Sequence, residues 1–124
     1  MKFKLKQYIY FVKDMAVMRN FYVNILGINI IKNKTYPENE WLELGGNGFR
    51  ICLHHSSKPG LKGMNKNKLV FSVEDTGEAR DYLISHKVKM GKHHIWDEIE
   101  ASDGFDPEGN KFQIASIRKA PEDN

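Results

Sequence analysis

Only one cysteine, Cys52, stands in the 124 residues, so no disulfide can form within the chain and the disulfide-stapled class of small domains is excluded. No apolar run reaches the roughly 18 residues that a membrane-crossing helix needs, and no stretch behind the N-terminus has the makeup of a secretion signal. Excess charge is also scarce. Lys and Arg number 19 against 16 Asp and Glu, and the resulting +3 is spread along the chain. Phosphate neutralisation requires a dense basic stripe, which is missing. The expectation is a soluble, cytoplasmic chain with no nucleic-acid and no membrane partner. What is present is 40% apolar and 11% aromatic residues, enough for the core of one ordinary domain and too much for a disordered one.

The N-terminal stretch 2–12 alternates lysines with Phe3 and Leu5, then runs through aromatic and β-branched residues, which predicts a strand. Its Lys2, Lys4 and Lys6 read as solvated protection of an outer strand edge. Asp14 is a helix N-cap, and residues 15–26 place Met15, Met18, Phe21, Tyr22 and Ile25 on one face before Gly27. Strands are expected near 28–33, 40–45 and 49–55, with turns at 37–39 and 45–48. Residues 56–66, with Pro59, Gly60 and Gly63, read as a linker. The order then repeats: a strand at 68–73, an N-cap at Asp75, a helix over 76–86, and strands near 88–91, 97–102 and 110–118.

A single offset of 61 residues carries Asp14 onto Asp75, Phe21 onto Tyr82, Gly48 onto Gly109 and Ile51-x-Leu53 onto Phe112-x-Ile114. A constant offset across a whole half reads as a tandem duplication of a βαβββ module. The expected fold is therefore α+β. One domain spans 1–124, with modules at about 1–55 and 67–118 joined by the 56–66 linker. The two modules form a cupped, barrel-like sheet with a helix on the outer face of each. A ferredoxin-like dimer is the alternative, disfavoured by three consecutive strands after each helix. Strand parity puts Tyr8, Tyr10, Val12, Ile51, Leu53, Leu69, Phe71, Val73, Phe112 and Ile114 under the helices. The opposite face then carries Gln7, Ile9, Phe11, Cys52, His54, Lys68, Val70, Ser72, Lys111, Gln113 and Ala115, a mixed composition suited to a concave binding surface.

Residues 11–30, the stretch KLVFSVED at 68–75 and DPEGNKFQI at 106–114 resemble the vicinal oxygen chelate superfamily of glyoxalases, bleomycin- and fosfomycin-resistance proteins and extradiol dioxygenases. The resemblance spans nearly the whole chain. In metal-dependent members it implies four inward ligands, two His and two Glu, one from each of four strands. Those positions fall here on Gln7, Cys52, Lys68 and Gln113, none of which keeps the implied ligand. A lysine there repels a divalent cation, so no metal and no other cofactor is expected.

The five histidines do not supply a substitute. His54-His55 and His93-His94 are neighbours, which on a strand point to opposite faces, and only His54 is phased inward. Cys52 is either a nucleophile activated by Lys68 or His54 or a small buried hydrophobe. Lys68 either anchors a carboxylate or phosphate, or forms a Schiff base, or is paired with Glu43 or Glu100. Trp41, Trp96, Phe11 and Phe105 either line a pocket for a flat ligand or serve packing, with Arg50 and Lys111 as charges at its mouth. Asp106 to Asn110 reads as a turn. The ligand-binding set is thus Gln7, Phe11, Trp41, Arg50, Cys52, His54, Lys68, Val70, Lys111 and Gln113. The function expected is metal-free binding or sequestration of a small aromatic or anionic organic molecule by a homodimer. The alternative is an enzyme of the same superfamily, lactoylglutathione-lyase-like, dioxygenase-like, or a metal-free isomerase or lyase. A third class, a purely structural or protein-interaction module, would show a filled cavity.

Overall fold

Each half builds the same mixed sheet around one capped helix, in a computed structural model that describes residues 1–32, 35–46, 48–58 and 65–118. The two compact units are Met1–Leu61 and Lys62–Asn124. In the first, β1 (Gln7–Val12) leads to a helix α1 (Met15–Arg19) and then to β2 (Ile30–Ile31), β3 (Trp41–Gly46) and β4 (Phe49–His55). The strand order is β1-β4-β3-β2, with β1 parallel to β4 and the other pairs antiparallel. In the second, β5 (Leu69–Ser72), α2 (Thr76–Ser85), β6 (Lys89–Ile95), β7 (Ile99–Phe105) and β8 (Lys111–Ile117) give the order β5-β8-β7-β6, again with the first pair parallel. The architecture is α+β, two βαβββ modules of identical topology.

The duplicated signals act through the same physics in both units. Asp14 accepts a hydrogen bond from the Val17 amide at 3.1 Å and Asp75 accepts one from Glu78 at 2.9 Å, each satisfying a donor at a helix start. Gly48 and Gly109 both hold positive φ, at 87° and 81°, where a Cβ would be strained, so the hairpins before β4 and β8 turn at equivalent glycines. Under α1 and its extension lie Tyr10, Val12, Leu42, Leu44, Ile51 and Leu53, all buried against Met15, Met18, Phe21 and Tyr22. Tyr10 stacks on Tyr22 with ring centroids 6.1 Å apart. In the second unit α2 packs on β6, β7 and β8, burying Leu83, Phe112 and Ile114. There the buried Thr76 and Ser116 hydroxyls bond to each other at 2.6 Å, and Thr76 also donates to the Glu100 carbonyl, so the polar groups beneath that helix are satisfied.

Several boundaries differ from the sequence reading. The first strand begins at Gln7 and not at Lys2: residues 1–6 form no strand, and Phe3 and Leu5 stay exposed because alternation without a face to bury does not hold a strand. Helix 15–26 is α-helical only to Arg19 and continues as a wider π-helical segment, Asn20–Ile25, which keeps Phe21 and Tyr22 buried. The second strand is two residues long, not six. The sixth runs on to Ile95 and the seventh starts at Ile99, with a turn at 96–98 between them. Of the linker read at 56–66, residues 59–64 lie outside the described residues, as do residue 33 of the expected second strand and Asn47 of the 45–48 turn.

Candidate functional site

Cross-strand register sets the face opposite the helices in rows, and the rows of the two units correspond. In the first unit one row is Phe11, His54 and Trp41, paired across β1, β4 and β3. Neighbouring side chains on a sheet stand close enough for rings to meet. The His54 imidazole lies 5.4 Å from Phe11 and 5.3 Å, edge-on, from Trp41, and Tyr36 lies 6.3 Å beyond Trp41. The equivalent row of the second unit is Ser72, Ala115 and Ala101. The module therefore folds without aromatic residues at these positions. Phe11 remains 54% exposed, so burial does not account for it either.

Tyr36, Glu40, Trp41 and His54 line a cleft of about 370 Å³. Its floor is fixed by backbone: the Glu40 and Trp41 amides donate to the Pro37 carbonyl, and the His55 amide donates to Glu40. That size falls at the small end of ligand clefts, roughly 300–1,000 Å³.

The next row holds Ile9, Cys52 and Glu43 in the first unit and Val70, Gln113 and Asp103 in the second. Cys52 is fully buried and its thiol donates to Gln7 Oε1 at 3.5 Å. Burial pushes the Cys52 thiol up from its ordinary pKa and the Glu43 carboxylate adds to this, while Arg50 and Lys6 oppose it. Such a thiol keeps its proton, whereas nucleophiles and metal ligands are thiolates. Glu43, buried, takes an ion pair from Arg50 at 2.7 Å.

In the second unit Lys68 Nζ lies 3.1 and 3.3 Å from the two oxygens of Asp103, and the Gln113 amide nitrogen donates to the same carboxylate at 3.1 Å. Lys68 sits just before β5, and its carboxylate partner within its unit is Asp103 and not the expected Glu100, which lies against His93. Val70 is 57% exposed. Lys111 lies 5.8 Å over the Phe105 ring, a cation–π contact. Trp96 stands in the 96–98 turn, stacked on His94 at 5.5 Å. His93 and His94 do face opposite ways, one to Glu100 and one to Trp96. Asp106 accepts from the Glu108 and Asn110 amides and is a turn residue.

The structure thus brings together Phe11, Trp41 and His54, then Gln7 with Cys52, and Lys68 with Gln113. It ties up Arg50 and Lys111. Sequence reasoning missed Tyr36, Glu40 and Asp103, and named Glu43 only as a partner for Lys68. Parity along β7 places Asp103 opposite Gln113, and an aromatic residue before a turn proline near Trp41 marks Tyr36.

The four positions where the resemblance implies metal ligands do not fit a divalent ion. The first unit offers a neutral amide bonded to a protonated thiol, and the second offers an amide and an ammonium. Among the described residues no group of three or more His, Cys, Asp or Glu could hold a metal.

These two modules and their duplicated site rows define a family, and the chain belongs to it: the Glyoxalase/Bleomycin resistance protein/Dioxygenase superfamily, whose model matches residues 4–114. Solved structures share the fold. TnmS3, an antibiotic binding protein from Streptomyces sp. CB03234, has a TM-score of 0.77 at 16% identity, covering 94% of this chain and 98% of that one. A glyoxalase/dioxygenase from Nostoc punctiforme has 0.75 at 15%, covering 94% and 92%. A glyoxalase family protein from Enterococcus faecalis has 0.68 at 19%, covering 92% and 96%. No curated protein matches the sequence. No helix among the described residues is long and apolar enough to cross a membrane.

Proposed function

We propose that the chain is a binding protein of this superfamily that holds or sequesters a small aromatic organic molecule without a metal ion. The observation that carries the reading is the Phe11–His54–Trp41 row beside the Tyr36 cleft, set against the Ser72–Ala115–Ala101 row of the duplicate module. Aromatic side chains that the module does not need, left partly exposed at a cleft, offer faces for a flat ligand. The kinship in fold with an antibiotic-binding protein supports the same class. An anionic ligand draws less support, since Arg50 and Lys68 already have carboxylates and Lys111 lies over the Phe105 ring.

The reading includes a homodimer in the cytoplasm, with a second copy covering apolar groups such as Ile9 of the first unit and Val70 of the second. Light scattering at tens of micromolar should give twice the chain mass; a single chain mass overturns the dimer.

A thermal-shift screen of planar aromatic compounds, run with chelator and with Ni²⁺, Zn²⁺ or Fe²⁺, tests the main reading. Hits that stabilise equally in every condition, are lost in Trp41→Leu and are recovered unchanged support a binder. Hits consumed only with metal support an enzyme instead.

A further inference from the structure

The charges around the Tyr36 cleft are distributed unevenly. Glu38, two residues before Glu40, is paired with Arg19 at 2.6 Å, and Glu43, on the same strand as Trp41, is paired with Arg50 at 2.7 Å. Both guanidinium groups in this region are thereby used. Glu40 lies between these pairs in sequence and lines the cleft, and its carboxylate makes no hydrogen bond or ion pair with any described residue. Its backbone is held at both ends, by Pro37 through its amide and by His55 through its carbonyl, so the carboxylate is presented from a fixed point. Tyr36 and Trp41 line the same cleft, their ring centroids 6.3 Å apart and the rings tilted by 57°.

A cleft lined by a glutamate and two electron-rich rings has one complementary chemistry. Ring faces carry negative quadrupole potential, and Trp is the strongest of them. Both elements therefore favour positive charge and repel an anion. The remaining described lining residue, His54, has its ring engaged edge-on by Trp41 and also by Phe11, which leaves it as a wall. The volume, about 370 Å³, admits two or three fused rings and little more.

Building on the aromatic-binding reading, we propose that this cleft selects a compact planar aromatic cation, its ring against Tyr36 and Trp41 and its positive group on the Glu40 carboxylate.

Three probes of one ring size separate the charge assignment from the aromatic reading: proflavine, a cation; acridine, neutral at mildly alkaline pH; and an acridine carboxylate, an anion. Calorimetric titration of the full chain at low salt should rank proflavine above acridine by roughly fivefold or more, with the carboxylate weakest. In Glu40→Gln the proflavine-to-acridine ratio should fall to near one. Tyr36→Ala, at a side chain already exposed, should weaken both probes without touching the core. Equal affinities for the three probes, or a preference for the carboxylate, overturn the charge assignment; if Tyr36→Ala still weakens them, the aromatic reading stands. A ratio unchanged in Glu40→Gln also overturns the role of that carboxylate. Failure of all three probes to bind overturns both.

Discussion

Replacing Lys68 by Ala separates a ligand anchor from a local ion pair, and the structure sets the size of each effect. At 3.1 Å the Lys68–Asp103 attraction is about 1.3 kcal/mol in a water-like medium and about 5 kcal/mol at intermediate dielectric. Both side chains are about a third exposed, 37% and 36%, so solvent screens the pair. Fixing a lysine side chain costs up to about 2 kcal/mol of rotamer freedom. The net contribution is therefore about 0–1 kcal/mol, the range of exposed pairs. A lysine that anchored an anionic ligand in a desolvated site would instead contribute about 2–5 kcal/mol to binding, roughly a thirtyfold to several-thousandfold change in affinity. Urea unfolding of Lys68→Ala, Asp103→Ala and the double variant measures the pair, and calorimetry with any screen hit measures the anchor. The expected outcome is a coupling under about 1 kcal/mol and an affinity changed by less than about threefold. A coupling above about 2 kcal/mol, or a loss of affinity beyond about tenfold, would instead make Lys68 a desolvated charge.

Three further outcomes follow from particular contacts. Cys52 in the folded chain should react with a thiol reagent far more slowly than in the urea-unfolded chain; equal rates would contradict its burial and raised pKa. Because the folded state holds that proton more tightly, the associated stability is complete below the unfolded thiol's value, 9.0, and is lost as pH rises from there through the folded value. A Cys52→Ala variant should lack this alkaline component in denaturation curves. Asp14→Ala and Asp75→Ala should each cost about 1 kcal/mol in chemical denaturation, and a cost near zero at either would remove the capping role.

The parts of the fold legible in sequence were those enforced by strong local physics. Asp14 and Asp75 are legible because few residues can satisfy a helix start, and Gly48 and Gly109 because few can turn with positive φ. The buried faces of β1, β4 and β8 followed from a period of two. Boundaries were less legible where tertiary burial decides: the lysine-rich 1–6 stretch alternates yet buries nothing, and β2 pairs with β3 at Ile30 and Ile31 alone. Of the site, the row of Phe11 and His54 was legible from parity. Asp103 and Glu40 were not singled out, because a lone acid in a sequence signals nothing until register or a turn sets it beside Lys68 or Trp41. The same register explains why Arg50 does not serve as a free charge: Arg50 pairs with Gly45 across the antiparallel β3 and β4, two residues along the strand from Glu43 on the same face.

Metal-independent binding of a small aromatic molecule at the Phe11–His54–Trp41 face can be measured by calorimetric titration of one screen hit into chelator-treated protein and into the same protein preincubated with Ni²⁺, Zn²⁺ or Fe²⁺. The expected result is the same affinity in every arm, saturation at a fixed stoichiometry, and unchanged ligand afterwards. Binding that appears only after metal is added, or ligand converted to product in any arm, would contradict it.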